Sequence, residues 1–386
     1  MLLRWLLSVL PLLVLCPRLL STELEPIHPG PFAVACTNLE VAPHDSEPMI
    51  DFLNGKTSSS GTVYLTDILI HPEAVPMLQV DVPSDVKLYG KQAGTRIPLV
   101  LLVVYPTTQE NPRPNYKYPY KETGDALFTH MQQPGEKPVL ADPAAKYPLI
   151  IHSGGYNTHG LWHLWRMKEL AAHGYIVVDM FHGDGRGSSF AGNLALRSIE
   201  LRATLDYVLH HSDFASVIDA DRIGANGDSA GGHTVIAALG GIDPSGRIPE
   251  GTDLRIKAAV GLVPFMGHAF GQWPFKTDLW FFGEDHAGLR RVQRPFLAIY
   301  AEKDSNVPPE GVVAGVHEMC GSTTAIILDG ETHLVSNATS TDIRTWEVLF
   351  FDAWLRDDAT ARQKLKAGTS VRGGVNDHKT YQREAP

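Results

Sequence analysis

Between residues 147 and 355, continuous apolar runs alternate with segments in which apolar residues recur every three to four positions. Short apolar runs bounded by turn residues indicate buried strands, and the 3.6-residue period indicates helices. Strands that alternate with helices predict an α/β fold, with a doubly wound, mostly parallel sheet covered on both faces. The predicted strands are 147–152, 175–181, 222–226, 256–263, 295–300 and 324–328. The predicted helices are 161–173, 193–211, 230–240, 312–319 and 342–355.

The pattern is less regular before residue 147 and near the C-terminus. Apolar runs at 62–70 and 97–105 predict two further strands, which form an antiparallel N-terminal portion of the sheet. The segment 106–146 is rich in proline and tyrosine and predicts a long excursion, of the kind that is often functional. The polar residues 363–386 predict a loose C-terminal tail.

Residues 1–22 have the layout of a secretory signal peptide. A basic start, Met1–Arg4, precedes the apolar stretch Trp5–Leu15, which is too short to span a membrane. We therefore expect a secreted or periplasmic protein without a stable membrane span. Cys16 leaves a second interpretation open, a lipid anchor on that cysteine, although Leu15 stands where such anchors have a small residue.

The charge of the chain argues against one class of partner. The 386 residues carry a formal net charge of −10 at pH 7, and an acidic surface repels phosphate backbones. We therefore expect no nucleic acid partner. Two cysteines, Cys36 and Cys320, remain beyond the predicted signal, and they either pair in an oxidising compartment or stay buried.

The sequence Gly227-Asp228-Ser229-Ala230-Gly231 matches G-x-S-x-G between a predicted strand and a helix of small residues. In this motif the glycines leave room for a sharp turn that presents the serine hydroxyl at a helix N-terminus. Ser229 is therefore the candidate nucleophile. Asp228 places a carboxylate directly before it, and a negative charge there would favour the protonated form of a nearby base.

Two side chains in strand-end loops can complete the chemistry of Ser229. A serine hydroxyl needs a base, and the base needs an orienting acid. Asp304 and His333 each follow one of the last two predicted strands, in the chain order that this kind of turn requires. Glu302 and Asp329 are rivals for the acid, but Glu302 lies too close to its strand end and Asp329 has no clear route to His333.

The segment after the first strand of the regular region supplies donors for a developing anion. The sequence Ser153-Gly154-Gly155-Tyr156 follows that strand, and its glycines let backbone N–H groups turn inward. We assign the oxyanion hole to the backbone N–H groups of Tyr156 and Ala230. Donors of this kind each typically lower the barrier by about 3–4 kcal/mol.

His159 and His163 lie four positions apart, as metal ligands on a helix do. The sequence HExxH is absent from the chain and no third ligand stands out, so we interpret the pair as a solvated helix face. We expect neither a metal nor a cofactor.

Taken in order, these segments resemble the α/β-hydrolases, close to the cutinases and bacterial polyester hydrolases, the platelet-activating-factor acetylhydrolases and the dienelactone hydrolases. The resemblance covers about 147–358 and implies an α/β-hydrolase domain over 23–362, of which 23–96 is an N-terminal extension. It places Phe265 at an aromatic wall and brings Phe265 and Tyr156 into contact with substrate. The segments that carry it are SGGY, LAAHGYIVV, GDSAGG, VPF, AEKDSNVPP, LDGETH and WEVLFFDAWLRDDATARQKL.

The chain departs from these families at several points. Asp228 stands where relatives often carry an aromatic residue or histidine, and Ala230 replaces a larger residue. The stretch 266–294 is extra length, and it forms either a cap or part of the core. Phe265 is likewise a pocket wall or a core residue. The aromatic residues of the stretch are Phe270, Trp273, Phe275, Trp280, Phe281 and Phe282.

We therefore predict a secreted, monomeric serine ester hydrolase that acts on a small-molecule or polymeric ester. The first substrate class is an ester with an apolar or aromatic acid part, polyesters included. The alternative is a lipid with a short acyl chain, as in the acetylhydrolases. A non-catalytic binding protein of the same fold is the alternative from another class, although such proteins usually lose the serine or histidine that this chain keeps.

Overall fold

The computed structural model of the protein describes residues 22–39, 78–120, 124–132, 136–156, 158, 160–182, 184, 187–270 and 277–385. Apart from Thr22, the predicted signal peptide lies outside the described residues, and so does the predicted strand at 62–70.

Sixteen strands lie within the described residues. All six strands predicted between 147 and 328 are among them, with ends within four residues of the predicted ones. The strands are β1 (Thr22–Leu24), β2 (Ala33–Leu39), β3 (Leu78–Asp81), β4 (Arg96–Thr107), β5 (Tyr116–Tyr120), β6 (Gly124–Phe128), β7 (Tyr147–Ser153), β8 (Ile176–Phe181), β9 (Ile218–Asp228), β10 (Ile256–Leu262), β11 (Ala269–Phe270), β12 (Thr277–Asp278), β13 (Phe296–Ala301), β14 (Thr323–Leu328), β15 (Gly368–Val371) and β16 (Asp377–Arg383).

Seven α-helices lie within the same ranges, and five of them match the predicted helices. The helices are α1 (Val86–Tyr89), α2 (Leu164–Ala172), α3 (Phe190–His210), α4 (Ala230–Leu239), α5 (Pro309–Glu318), α6 (Ser340–Leu355) and α7 (Ala359–Ala367). No helix in the described part of the chain is both long and apolar enough to cross a membrane.

Ten strands form the central sheet, in the order β16-β14-β13-β10-β9-β7-β8-β4-β2, with β3 also paired to β4. Neighbouring strands from β14 to β8 run parallel. The pairs formed by β16, and those among β8, β4, β3 and β2, are antiparallel. The structure thus confirms a mixed α/β fold with a mostly parallel sheet and an antiparallel N-terminal portion.

The apolar runs form this sheet because both of its faces are buried. Along β4, Leu101 and Val103 join one apolar cluster, whereas Leu102 and Val104 join the other. Successive side chains of a strand point to opposite faces, so a strand between two cores must be apolar throughout. Helices α3 and α4 contribute to the first cluster, and α2 and α6 contribute to the second.

The prediction of a loose C-terminal tail is wrong for residues 363–385. After α7, strand β15 pairs with β1 and strand β16 pairs antiparallel to β14, where it covers the edge of the central sheet. The carboxylate of Asp377 accepts hydrogen bonds from Trp346 Nε1 at 2.5 Å and from the Val371 N–H at 3.0 Å. An edge strand needs few apolar residues, so its polar composition resembles that of a loop.

Asp342, at the start of α6, is fully buried beside this C-terminal segment. Its Oδ2 accepts a hydrogen bond from the Val375 N–H at 2.9 Å, and its Oδ1 has no hydrogen-bond partner among the described residues. Burial, together with the negative charge of Asp377, raises the pKa of Asp342 to about 6. The folded protein therefore retains a proton that the unfolded chain releases near pH 4, and folding stability decreases as the pH rises from about 4 to about 6.

The Asp342→Asn substitution is expected to stabilise the fold by about 1 to 3 kcal/mol at pH 8, and much less below pH 4. Asparagine keeps an acceptor for the Val375 N–H but cannot ionise. Urea unfolding of both proteins at pH 3.5 and pH 8 measures the difference. An equal change in stability at the two pH values would contradict the explanation.

The two cysteines beyond the predicted signal do not form a disulfide. Cys36 is buried in β2, and Cys320 is exposed. Burial raises the pKa of Cys36 to about 11, so its thiol stays protonated at neutral pH.

Candidate active site

Ser229 lies at the tip of a sharp turn between β9 and α4, in the middle of the central sheet. Its φ is +53°, and its N–H donates to the Leu262 carbonyl at 3.0 Å. A Cβ at Gly227 would approach the Gly231 carbonyl oxygen to 2.3 Å, and a Cβ at Gly231 would approach the Ser153 carbonyl oxygen to 1.7 Å. Any larger residue would therefore clash at both glycines of the motif, as predicted.

Three loops at the carboxyl ends of strands bring the candidate triad together. Ser229 Oγ lies 3.1 Å from His333 Nε2, and His333 Nδ1 lies 2.7 Å from Asp304 Oδ2. Asp304 is only 4% exposed, and its Oδ1 accepts hydrogen bonds from the N–H groups of Asn306 and Val307, both at 2.8 Å. These bonds fix the carboxylate, which in turn fixes the imidazole ring.

The two rival acids have other partners. Glu302 Oε2 accepts a hydrogen bond from the Gly330 N–H at 2.7 Å. Asp329 Oδ2 lies 2.9 Å from Nδ1 of His378 in β16. Asp304 is thus the acid that contacts His333.

The structure places Tyr156 and Ala230, the predicted sources of the oxyanion hole, in one cavity with Ser229. Ala230 follows Ser229 directly and is the first residue of α4. Gly155, which shares a peptide unit with Tyr156, lies beside the nucleophile, since a Cβ there would be 3.6 Å from Ser229 Cβ. Whether both N–H groups bind an oxyanion stays a prediction.

The cavity that contains Ser229 and His333 has a volume of about 1260 Å³. Phe265 lines it and is also only 2% exposed, so this ring serves both as wall and as core. The Phe190 ring lies between Phe265 and Tyr156, with centroids at 5.7 and 5.1 Å. A second group of lining side chains is cationic and indole-bearing: Trp162, Trp165, Lys168 and Arg344.

The stretch 266–294 is partly described. Phe281 and Phe282 are buried, and Phe282 stacks on His233 with a centroid distance of 4.5 Å, so these two rings belong to the core. Leu279 lines the cavity. Trp273 and Phe275 lie outside the described residues, and the cap stays a prediction.

A buried network of charged groups lies behind the nucleophile turn. Arg166 Nη1 donates to Asp228 Oδ1, and Arg166 also forms a bidentate pair with Glu347 at 2.9 and 3.1 Å. Burial raises the pKa of Asp228, but attraction to Arg166 and to the neighbouring histidines outweighs it, and the net pKa is lowered. Asp228 is therefore ionised, and it shares the Arg166 cation with Glu347.

His163 belongs to this network, and its interpretation as part of a solvated face is wrong. The side chain is 19% exposed, and Nε2 lies 3.2 Å from Asp228 Oδ2. Burial lowers the pKa of His163 to about 4, so the ring is neutral near pH 7. His159 lies outside the described residues. Within the described ranges, no group of three or more histidine, cysteine or acidic side chains is arranged to hold a metal ion.

A second serine-histidine-carboxylate chain lies beside the first. Ser153 Oγ lies 2.8 Å from His182 Nε2, and His182 Nδ1 lies 2.5 Å from Glu200 Oε2. Ser153 has no exposed surface, and it is not among the residues that line the cavity. Ser229 is thus accessible from the cavity, whereas Ser153 is not.

Three buried charged residues were not predicted from the sequence: Arg166, Arg197 and Glu200. All three are fully or almost fully buried on helices that cover the sheet. One signal was available, because Arg197 lies four residues before Leu201 and thus on the predicted apolar face of its helix. A charged residue at such a position predicts a buried partner, but the periodicity does not name that partner.

The chain was also compared with known proteins. No protein-family model matches it, and no curated protein matches it significantly.

Proposed function

We propose that the protein is a serine carboxylic ester hydrolase with the α/β-hydrolase fold. The observation that carries the proposal is the unbroken hydrogen-bonded chain from Ser229 Oγ through His333 to Asp304, at the surface of a large cavity. The position of the three residues, each in a loop that follows a strand of a mostly parallel sheet, supports the same assignment.

Each member of the triad has a distinct role in the proposed reaction. His333 Nε2 takes the proton of Ser229 as Oγ attacks the ester carbonyl, and it returns that proton to the leaving alcohol. Asp304 holds the Nδ1–H of His333 and stabilises the imidazolium that forms. The N–H groups of Tyr156 and Ala230 bind the oxyanion of each tetrahedral intermediate. Water then attacks the acyl-enzyme by the same route and releases the acid.

The lining of the cavity supports an ester with an apolar or aromatic acid part. The rings of Tyr156, Phe190 and Phe265 and the side chain of Leu279 form one apolar region of its wall. Pockets of this kind bind apolar groups, while a few polar groups fix their orientation. Polyesters fall within this class. A series of p-nitrophenyl esters from acetate to palmitate, measured beside polyester film, separates the class from short acyl esters, because strict preference for acetate without release from film would contradict it.

A fluorophosphonate probe tests the proposal directly. Serine Oγ attacks the phosphorus and displaces fluoride, which leaves a stable adduct on an activated serine only. We expect labelling of the folded wild-type protein and of Ser153→Ala, and none of Ser229→Ala. Absence of label on the folded wild type would support the non-catalytic binding protein instead.

One observation favours the second candidate, a lipid ester with a short acyl chain. Lys168 and Arg344 line the same cavity as Ser229, and the Arg344 guanidinium lies 5.8 Å from the centroid of the Trp165 ring. Lys168 Nζ donates to the Leu127 carbonyl at 2.6 Å, while Arg344 pairs with Glu169 at 2.8 Å. A phosphate group on the substrate would find two cations at this part of the wall.

Lys168→Met is expected to raise KM for a short-chain phospholipid about tenfold more than KM for a neutral ester of the same acyl group, a difference of about 1.4 kcal/mol. The lost attraction acts on the phosphate only. Lys257→Met is the matched control. Lys257 also donates to a backbone carbonyl, but it lies at the start of β10, whereas the cavity lies at the carboxyl ends of the strands. Equal KM changes for the two esters would exclude phosphate recognition by Lys168.

A further inference from the structure

The guanidinium of Arg197 contacts the loop that carries the predicted oxyanion donor. Arg197 lies on α3 and is 1% exposed. Its Nη1 donates to the Gly154 carbonyl at 2.6 Å, and its Nη2 donates to the Gly155 carbonyl at 2.8 Å. Asp184 holds the other side of the guanidinium, with Nε at 3.0 Å and Nη2 at 2.6 Å from its two oxygens. The buried guanidinium therefore forms hydrogen bonds to two consecutive peptide units.

We propose that Arg197 is a positioning residue, which fixes the peptide unit between Gly155 and Tyr156 so that the Tyr156 N–H faces the oxyanion. This inference rests on the proposed ester hydrolysis. Arg197 touches neither substrate nor nucleophile. It acts through the loop, and Asp184 holds it in place.

The direction of the Tyr156 N–H follows from the geometry of a trans peptide. In a planar trans unit the C=O and the N–H point in opposite directions. The Gly155 carbonyl accepts hydrogen bonds from Arg197 Nη2 and from Thr158, whose Oγ1 lies at 2.9 Å and whose N–H lies at 3.2 Å. Arg197 is not among the cavity-lining residues, whereas Gly155, Tyr156, Thr158 and Ser229 are. A carbonyl held toward buried Arg197 therefore turns the next N–H toward the cavity.

The loop needs such a restraint because of its own sequence. Gly154 and Gly155 both lack a Cβ, so the peptide units around them rotate with little steric hindrance. If the 155–156 unit flipped, its carbonyl oxygen would face the oxyanion and repel it. The charge pair of Arg197 with Asp184 is an unpromising source of stability, since a buried ion pair is often replaced by apolar residues without loss. The contribution that we assign to Arg197 is therefore the orientation of the Gly154 and Gly155 carbonyls.

The Arg197→Lys substitution separates positioning from charge. Lysine keeps the positive charge beside Asp184, but a single ammonium group cannot reproduce the planar fork that spans Asp184 and both carbonyls. We expect kcat to fall about 10- to 100-fold, with KM changed less than about threefold, because the oxyanion exists only in the transition state and the intermediates. Arg294→Lys is the matched control: Arg294 donates to the Asp253 and Ile256 carbonyls at 2.8 and 2.9 Å, where β10 begins and away from the carboxyl ends of the strands.

An aryl trifluoromethyl ketone supplies a readout that loss of stability does not move. Ser229 Oγ adds to the ketone carbon, the serine proton passes to His333, and the former carbonyl oxygen becomes the hemiketal oxyanion. The ¹³C shift of the hemiketal carbon, followed against pH, reports how well the site stabilises that oxyanion. We expect ionisation at higher pH in Arg197→Lys than in wild type and in Arg294→Lys. Asp184→Asn loosens Arg197 without removing it. This substitution is expected to raise the pH of hemiketal ionisation as well, by a smaller amount.

The outcomes distinguish this inference from the proposed function. If the wild type neither hydrolyses esters nor forms the adduct, the proposed function fails. If the wild type does both, and Arg197→Lys and Asp184→Asn match it in kcat and in the pH of ionisation, the positioning role of Arg197 is overturned. Should Arg197→Lys not fold, the result for Asp184→Asn decides alone.

Discussion

Ser229→Ala is expected to lower kcat for ester hydrolysis at least about 1000-fold while the protein stays folded. Alanine removes the only atom that forms the acyl-enzyme, and the oxyanion donors can then assist only direct attack by water. The side chain lost is small and lies at the cavity surface, so the packing of β9 against its neighbours is retained. Initial rates on a p-nitrophenyl ester, with circular dichroism and melting temperature as checks of folding, measure the effect.

The second serine provides the contrast for this experiment. Ser153 contacts His182, which in turn contacts Glu200, in the order of a catalytic triad, yet Ser153 is closed to solvent. Ser153→Ala is therefore expected to retain far more activity than Ser229→Ala. If the two variants lost activity equally, or if Ser229→Ala kept near-normal turnover, the assignment of the nucleophile would be wrong.

Arg166→Met is expected to lower the free energy of unfolding by about 3–5 kcal/mol. Arg166 is fully buried, and its guanidinium is the cation that pairs with both Asp228 and Glu347. Methionine fills a similar volume but leaves two carboxylates to be buried without that charge. Urea unfolding at pH 7, followed by fluorescence and circular dichroism, measures the loss.

Two controls identify the cause of this loss. Adding Asp228→Asn and Glu347→Gln to Arg166→Met removes the unpaired charges and is expected to recover most of the stability. Arg344→Met breaks the ion pair between Arg344 and Glu169, two side chains that are both partly exposed. This substitution is expected to lower the free energy of unfolding much less. If the triple variant were no more stable than Arg166→Met, lost packing and not unpaired charge would be responsible.

The regular part of the fold could be predicted because the polarity of its side chains follows their burial. Strands such as β7 lie between two apolar cores, so every residue from Tyr147 to Ser153 is buried and the run is read directly from the sequence. The edge strand β16 gives no such signal, because polar residues satisfy an exposed edge. Its pairing with β14 is fixed by a register that local sequence does not encode.

In the candidate site, the triad could be predicted from the sequence, but the groups that support it could not. Ser229, Asp304 and His333 could be placed because each follows a recognisable strand, and the parallel topology brings strand ends together. The supporting groups could not be placed, since Arg166 and Arg197 contact residues 62 and 13 positions away, respectively, as well as partners on other elements. Such distances are set by helix packing on the sheet, and a one-dimensional pattern does not contain them.

The backbone at the proposed nucleophile has a consequence for directed evolution. Ser229 lines the cavity at a φ of +53°, a positive value that costs a residue with a side chain about 1–3 kcal/mol. Glycine accepts that conformation without the steric penalty. A library screened for heat resistance alone will therefore tend to enrich glycine at position 229 and discard the hydroxyl. Selection for turnover in the same rounds is needed to keep it, and position 229 marks where the two goals conflict.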